Sequence, residues 1–268
     1  MKRFLLLLSC FLVLALVGHS WAADWYVRTD GSDLNDGKSW GLAFATIRKA
    51  VSVANDGEEI WVAAGTYIPS YSIFLNSAVS LYGGFAGTET LREQRDWVNH
   101  VTTVDGDNGF VPFQVYADAT IDGFTIQNGY YGFGGGMRIN SSAPTISNCT
   151  FSLNNGYIRG GAIYNYNSTP TISNCTFNEN TSNLVGGAIY NFHSAATITN
   201  SKFYKNSAGR HGGAIYNDTS DALITNSTFH ENRAGSDGGA INNFSASPMI
   251  TNCTFYKNTA ISYGRAID

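Results

Sequence analysis

The sequence predicts an all-β fold, a single-stranded right-handed parallel β-helix with three strands in each 26-residue coil. Gly-Gly pairs recur at this constant interval and begin at Gly134, Gly160, Gly186, Gly212 and Gly238. Between the pairs lie three short runs of β-forming residues, separated by Asn, Ser, Gly and Pro. No run shows the period of about 3.6 residues that a helical repeat requires. Three strands in a fixed order, repeated without insertion, are typical of a β-helix coil.

Two apolar columns recur at the same interval as the glycine pairs. They are the isoleucine column Ile146, Ile172, Ile198, Ile224 and Ile250 and the phenylalanine column Phe151, Phe177, Phe203, Phe229 and Phe255. Since successive coils lie about 4.8 Å apart, we expect equivalent residues to stack into inward-facing ladders. Each buried side chain contributes about 1.5–3 kcal/mol relative to exposure. One coil cannot bury its own apolar faces, so stability depends on the stack.

Asparagine also recurs at two positions in each repeat. The first column is Asn148, Asn174, Asn200, Asn226 and Asn252, and the second is Asn154, Asn180, Asn206, Asn232 and Asn258. The first column falls between the isoleucine and phenylalanine strands, where we predict a bend because asparagine tolerates the left-handed conformation. We expect the stacked amides of this column to bond to one another.

Two further columns mix residue types. Cys149, Cys175, Ser201, Ser227 and Cys253 share one position, which we interpret as small inward-facing residues and not as disulfide partners. Glu179, Lys205, Glu231 and Lys257 share another, and their alternating charge is predicted to stabilise the register between coils.

The chain is predicted to have four segments. They are a signal peptide (1–22), a strand with a capping helix (24–59), degenerate coils (60–133) and regular repeats with an incomplete last coil (134–268). Helical spacing of apolar residues begins at Phe44, and Asn55 to Gly57 end the helix. We expect this short helix to cover the open end of the β-helix, where strand edges would otherwise be exposed.

The segment from Asp30 to Gly37 has the composition of a calcium loop. No glutamate stands at the twelfth position that an EF-hand requires, so we interpret the segment as turns capped by side chains.

The N-terminus predicts export. Lys2 and Arg3 precede an apolar run from Phe4 to Val17, which is too short to span a membrane, and Ala22-Ala23 suits a signal peptidase. Cleavage would leave 14 basic and 20 acidic side chains, a balance that argues against a nucleic-acid partner. No second apolar run could span a membrane. We therefore expect an exported protein that is either secreted or held at the cell surface.

The pairing of Gly-Gly-Ala-Ile (Gly160 to Ile163) with Phe-x-x-Asn (Phe177 to Asn180) resembles the repeat of chlamydial-type polymorphic outer membrane proteins. These proteins are among the pectate-lyase-like right-handed β-helices. The resemblance covers residues 134–268 and implies an exported passenger used in adhesion, followed by a membrane barrel or anchor. Because the sixth coil breaks off at Asp268, we expect the native product to continue or the gene to be truncated.

The leading functional hypothesis is a non-enzymatic adhesin or passenger whose long faces bind glycans or proteins of a host or cell surface. The alternative is a polysaccharide lyase or glycoside hydrolase whose site lies in further C-terminal coils. No catalytic residue, metal ligand or cofactor is assigned. The stacked aromatic column Tyr204, His230 and Tyr256 is a candidate glycan-binding face.

The loops before the Gly-Gly pairs vary most between repeats, so function would concentrate there. Arg210, His211 and Asp237 lie in neighbouring coils of this edge and form a candidate edge-loop site. A histidine beside an aspartate could act as a general base.

Overall fold

In the computed structural model, which describes residues 24–268, the chain winds into a right-handed parallel β-helix of about 8 turns. Equivalent residues of successive coils pair in register, so that Ile146 lies beside Ile172 and Phe151 beside Phe177. The predicted fold class and its repeat register are therefore confirmed. The predicted signal peptide lies outside the described residues.

Two long sheets contain the isoleucine and phenylalanine columns. Sheet A consists of β1 (Trp25–Val27), β2 (Glu59–Ala63), β5 (Ser80–Phe85), β8 (Thr120–Asp122), β12 (Thr145–Ser147), β16 (Thr171–Ser173), β20 (Thr197–Thr199), β24 (Leu223–Thr225) and β28 (Met249–Thr251). Sheet B consists of β3 (Gly65–Tyr67), β6 (Thr102–Asp105), β9 (Phe124–Gln127), β13 (Thr150–Ser152), β17 (Thr176–Asn178), β21 (Lys202–Tyr204), β25 (Thr228–His230) and β29 (Thr254–Tyr256).

The third predicted strand of each coil forms sheet C. The structure also contains a fourth sheet, sheet D, which the sequence did not predict. Sheet C consists of β4 (Ile73–Leu75), β7 (Phe113–Val115), β11 (Met137–Asn140), β15 (Ile163–Tyr166), β19 (Ile189–Phe192), β23 (Ile215–Asp218) and β27 (Ile241–Phe244). Sheet D consists of β10 (Tyr130–Phe133), β14 (Asn155–Arg159), β18 (Thr181–Ser182), β22 (Ser207–Ala208), β26 (Arg233–Ala234) and β30 (Thr259–Ala260). Most strands of sheet D are two residues long, too short to show a period of 2 in the sequence.

The core is a set of continuous side-chain ladders. The rings of Phe151, Phe177, Phe203 and Phe229 are buried and stack nearly parallel, with centroids 4.7–5.0 Å apart. The Gly-Gly pairs are required for close packing of the coils. Gly186 has a φ of 65°, and a Cβ at Gly187 would lie 2.1 Å from the carbonyl oxygen of Gly213.

The bend column and the amide ladder are two different features. The first asparagine column is left-handed as predicted, with φ between 50° and 53° at every member. In this column Asn252 donates to Asn226, whereas Asn148 donates to Asp122. The continuous amide ladder belongs to the second column, where Asn180 donates to Asn206 and Asn206 donates to Asn232. A further ladder runs from Asn165 through Asn191 to Asn217 and was not predicted. The ladders lie in the buried columns because water competes for exposed amides.

The two mixed columns have separate roles. Cys149 and Cys175 are free and buried, which confirms the small inward-facing column. The charged column lies at left-handed turns, with φ of 52° at Lys205 and 56° at Glu231. The ammonium group of Lys205 lies 4.8 Å from the ring centroid of Tyr204, and no ion pair joins the column within residues 24–268. The lysines therefore contact aromatic rings, while the carboxylates of Glu179 and Glu231 act on Lys205 without a direct ion pair.

The N-terminal end is covered by helix α1 (Ile47–Val53). Oγ1 of Thr46 accepts a hydrogen bond from the backbone N–H of Lys49, which caps the helix. Ile47 and Ala50 are buried against the core, and the helix contacts β1, β2 and β4. The predicted capping helix is confirmed. Two short 3-10 helices, Trp40–Leu42 and Arg92–Gln94, complete the described elements.

The segment from Asp30 to Gly37 consists of side-chain-capped turns, as predicted. Asp33 accepts hydrogen bonds from the backbone N–H groups of Ala45 and Thr46, and Asp36 accepts one from that of Lys38. Within residues 24–268, no helix has the length and apolarity needed to cross a membrane.

Candidate functional site

The predicted aromatic column lies on the outer face of sheet B. Tyr204 pairs with His230, and His230 pairs with Tyr256, in three successive coils. Ring centroids are 5.3 Å apart in the first pair and 5.0 Å in the second. Tyr256 is 56% exposed, and the other two rings are half-buried. We call these three residues the aromatic strip.

The strip is amphipathic. Its rings are tilted against one another by 31° and 34°. Nε2 of His230 is buried and lies 3.2 Å from Oε1 of Glu231, an ion-pair distance when the imidazole is protonated. Lys205 lies over Tyr204, and Lys257 lies over Tyr256 at 5.1 Å from the centroid. The strip therefore offers tyrosine hydroxyls and lysine ammonium groups beside apolar rings, a mixture that suits a sugar or a protein surface.

The edge-loop residues come together only in part. Nδ1 of His211 lies 2.9 Å from Oδ2 of Asp237, an ion-pair distance when the imidazole is protonated. The contact does not have the geometry of a hydrogen bond. Arg210 is exposed, and its side chain lines the same pocket as His211.

Three further residues complete this region through contacts that the sequence did not predict. The hydroxyl of Tyr190 donates to Oδ2 of Asp218 at 2.6 Å and accepts from Nη1 of Arg159 at 3.1 Å. Burial, followed by the bond to Asp218, raises the pKa of the Tyr190 phenol. Asp218 could have been noticed because it interrupts a column that is aromatic in Tyr166, Phe192 and Phe244.

These groups sit on a small apolar cluster outside sheet C. Tyr164, Val185 and Tyr190 are buried together, and Tyr190 is only 1% exposed. The pocket that adjoins His211 has a volume of about 210 Å³ and is lined by Arg159, Tyr190 and Asp218 among others. Small-molecule sites usually enclose about 300–1,000 Å³. The covered tyrosine rings and the small volume leave little room for a sugar ring at this position.

Within residues 24–268, no group of three or more His, Cys, Asp or Glu residues is arranged to hold a metal ion.

Comparison with known proteins agrees with this architecture. Residues 93–209 match the family model described as a right handed beta helix region, and residues 226–243 match the Chlamydia polymorphic membrane protein repeat. No curated protein matches the sequence significantly.

Two solved structures illustrate the likeness of fold. A pectate lyase is 15% identical, with a TM-score of 0.51 over 91% of this chain and 76% of the lyase. A pectin methylesterase from Aspergillus niger is 13% identical, with a TM-score of 0.53 over 88% of this chain and 86% of the esterase. At these identities the likeness shows the fold alone. The chain is thus a right-handed parallel β-helix with repeats of the polymorphic membrane protein type.

Proposed function

We propose that the chain is an exported β-helix of the adhesin or passenger type, which binds glycans or proteins of other surfaces without catalysing a reaction. The proposed location is outside the cell, either secreted or attached to the outer surface. The leader-like segment before Ala23 supports export, and the polymorphic membrane protein repeat supports a surface location.

The aromatic strip is the observation that supports binding most directly. Three amphipathic rings occupy one outer column in successive coils, while the equivalent residue one coil earlier is Asn178. The adjacent inward column keeps phenylalanine in each of these coils. Aromatic residues that have a polar tip are enriched where proteins meet a partner.

The repeat supplies substitutions that suit the fold. The triple variant Tyr204→Asn, His230→Asn and Tyr256→Asn places asparagine at this position in three coils. Asparagine suits the fold there, because Asn178 occupies the same column one coil earlier. We expect this variant to lose most of its binding to a glycan array and to cultured epithelial cells. Leu223→Thr is the matched control, since Thr145, Thr171 and Thr197 occupy its column on sheet A. Equal binding by the triple variant and the wild type would reject the strip as the binding face.

A carbohydrate-active enzyme is the second candidate. The 2.9 Å contact between His211 and Asp237 is the described observation in its favour, whereas the small volume of the adjoining pocket speaks against it. An imidazole beside a carboxylate can act as a general base, with the carboxylate orienting the ring. Incubation with acidic and neutral polysaccharides, with and without Ca²⁺, tests this function. New reducing or unsaturated ends that disappear in His211→Gln would overturn the non-enzymatic proposal.

A further inference from the structure

A second cleft lies at the corner between sheets A and B, in coils that precede the aromatic strip. Its volume is about 310 Å³. The loop 96–101 forms one wall, with Trp97, Val98 and Val101 at 38%, 72% and 45% exposure. Thr125, Thr150, Thr176, Asn148 and Asn174 contribute to the opposite side. We call this the corner cleft.

The wall of the corner cleft contains an indole without a hydrogen-bond acceptor. Trp25 and Trp61 donate their Nε1–H to the carboxylates of Glu58 and Glu59, and Trp40 donates to the carbonyl oxygen of Glu89. Trp97 is the one described tryptophan whose Nε1–H finds no acceptor within residues 24–268. An indole N–H can only donate a hydrogen bond, and it usually has an acceptor where a protein buries it. The exposed N–H of Trp97 is therefore available to an oxygen atom of a bound partner.

The loop holds this indole in a fixed place. The backbone N–H of Asp96 donates to the carbonyl oxygen of Gly84 at 2.7 Å, and Oδ1 of Asp96 accepts from the N–H groups of Val98 and Asn99. A Cβ at Gly84 would lie 2.6 Å from the Cα of Trp97, so glycine is required there. The loop is therefore pre-organised, which lowers the entropy lost on binding.

A buried ion pair supports the same wall from behind. The guanidinium group of Arg95 lies 4.8 Å from the ring centroid of Trp97 and covers one face of the indole. Arg95 is itself fixed by the carboxylate of Asp122, and both side chains are about nine-tenths buried. Asp122 also accepts hydrogen bonds from Ser147 and Asn148.

The opposite side of the cleft is a shelf of neutral polar groups. Thr125 pairs with Thr150, and Thr150 pairs with Thr176, so their hydroxyls are repeated once per coil. Within residues 24–268, these hydroxyls and the amide of Asn174 make no hydrogen bond to another protein group. Among the side chains that the structure describes, none that lines the cleft is charged. The cleft therefore combines an exposed indole with unpaired hydroxyl and amide groups and lacks a cation for an acidic ligand.

We propose that the corner cleft binds a neutral oligosaccharide, with one sugar ring against Trp97 and its hydroxyl groups on the threonine and asparagine shelf. Apolar C–H groups of the sugar pack on the indole, and sugar oxygens accept from its N–H. This function goes beyond the surface binding proposed above, because it concerns a different set of residues and a soluble ligand.

The test is a titration of the protein, followed by the indole N–H signals in two-dimensional NMR. Cellohexaose, xylohexaose and mannohexaose are the neutral probes, and hexagalacturonate is the acidic comparison. We expect the Trp97 signal to move with at least one neutral probe, while the signals of Trp25, Trp40 and Trp61 stay in place. Trp97→Ala should weaken binding about tenfold, the equivalent of one stacked ring.

Thr150→Val and Thr176→Val keep the shape of the shelf and remove its hydroxyls, so they test the site even if Trp97→Ala disturbs the loop. Each should weaken binding roughly threefold or more. An unmoved Trp97 signal with every neutral probe would overturn the proposal, as would tighter binding of hexagalacturonate. The triple variant of the aromatic strip should bind the neutral probe normally, which separates this cleft from the surface-binding face.

Discussion

The side-chain amide of Asn180 donates to Oδ1 of Asn206 at 3.0 Å, deep inside the β-helix. The same oxygen accepts from the backbone N–H of Asn180, and the Asn206 amide donates to Asn232 and to the carbonyl oxygen of Phe177. One buried side chain therefore satisfies groups in both neighbouring coils.

Asn206→Ala should destabilise the fold strongly. It leaves buried donors and acceptors of two coils without partners, and each such group costs about 1–3 kcal/mol. We expect a loss of about 2–4 kcal/mol in the free energy of unfolding, measured by urea denaturation. Asn200→Gly is the control, because Asn200 is exposed and left-handed and should change stability by less than about 0.5 kcal/mol. Equal losses in the two variants would refute the role of the ladder.

Leu153→Asn should stabilise the protein. Leu153 has a φ of 56° and is 52% exposed, so its side chain gains little from burial and its backbone is strained. Asparagine tolerates this conformation, and we expect a gain of about 0.5–1 kcal/mol in thermal or urea unfolding. Leu223 is also partly exposed but lies in strand β24, so Leu223→Asn should not stabilise. A gain in both variants would point to lower surface apolarity as the cause.

Tyr190→Phe should weaken the contacts among three successive coils. The change removes the bond donated to Asp218 and the bond accepted from Arg159, while the ring remains. We expect a loss of about 1–2 kcal/mol on urea unfolding. Tyr216→Phe is the matched control, because the Tyr216 hydroxyl makes no hydrogen bond within residues 24–268. If Tyr216→Phe lowers the free energy of unfolding by as much, the effect of Tyr190→Phe comes from ring packing and not from the two hydrogen bonds.

Stability should fall at alkaline pH. Burial raises the pKa of Tyr67 and of Tyr190 above the value of about 10 that an unfolded tyrosine has. The stabilisation is complete below that unfolded value and is lost as the pH rises above it, because only the unfolded chain then releases the proton. Urea unfolding from about pH 8 to about pH 11 should show this decline. Tyr67→Phe should flatten the decline, whereas Tyr157→Phe, at an exposed position, should not.

Repetition made much of the fold predictable. The inward-facing columns could be predicted because five copies of the repeat align without a gap. The bend at Asn148 could be predicted because asparagine tolerates the left-handed conformation. Sheet D could not be predicted, because a strand of two residues such as Thr181–Ser182 is too short to show alternating apolar and polar residues. Amide bonds were predicted in the first asparagine column, where Asn252 and Asn226 form one. The continuous ladder lies in the buried second column, and the sequence alone does not say which amides water can reach.

The candidate sites were less predictable than the fold. The pair His211 and Asp237 was found because the residues occupy one variable edge. The contact between Arg159 and Tyr190 was not predicted, because the two residues lie 31 positions apart and meet only through the stacking of coils. The corner cleft was missed for a similar reason, since the loop that contains Trp97 belongs to the irregular first half of the chain.

The close contact of each Gly-Gly pair with the next coil restricts how the molecule can change in length. A residue inserted at Gly187 would separate its backbone from the carbonyl oxygen of Gly213 and shift every column that follows. Removing or adding one whole 26-residue unit instead rejoins equivalent residues, so each ladder continues with the same neighbours. Recombination between coils can therefore change the length of the β-helix by one coil at a time, and the hydrogen-bond pattern stays the same.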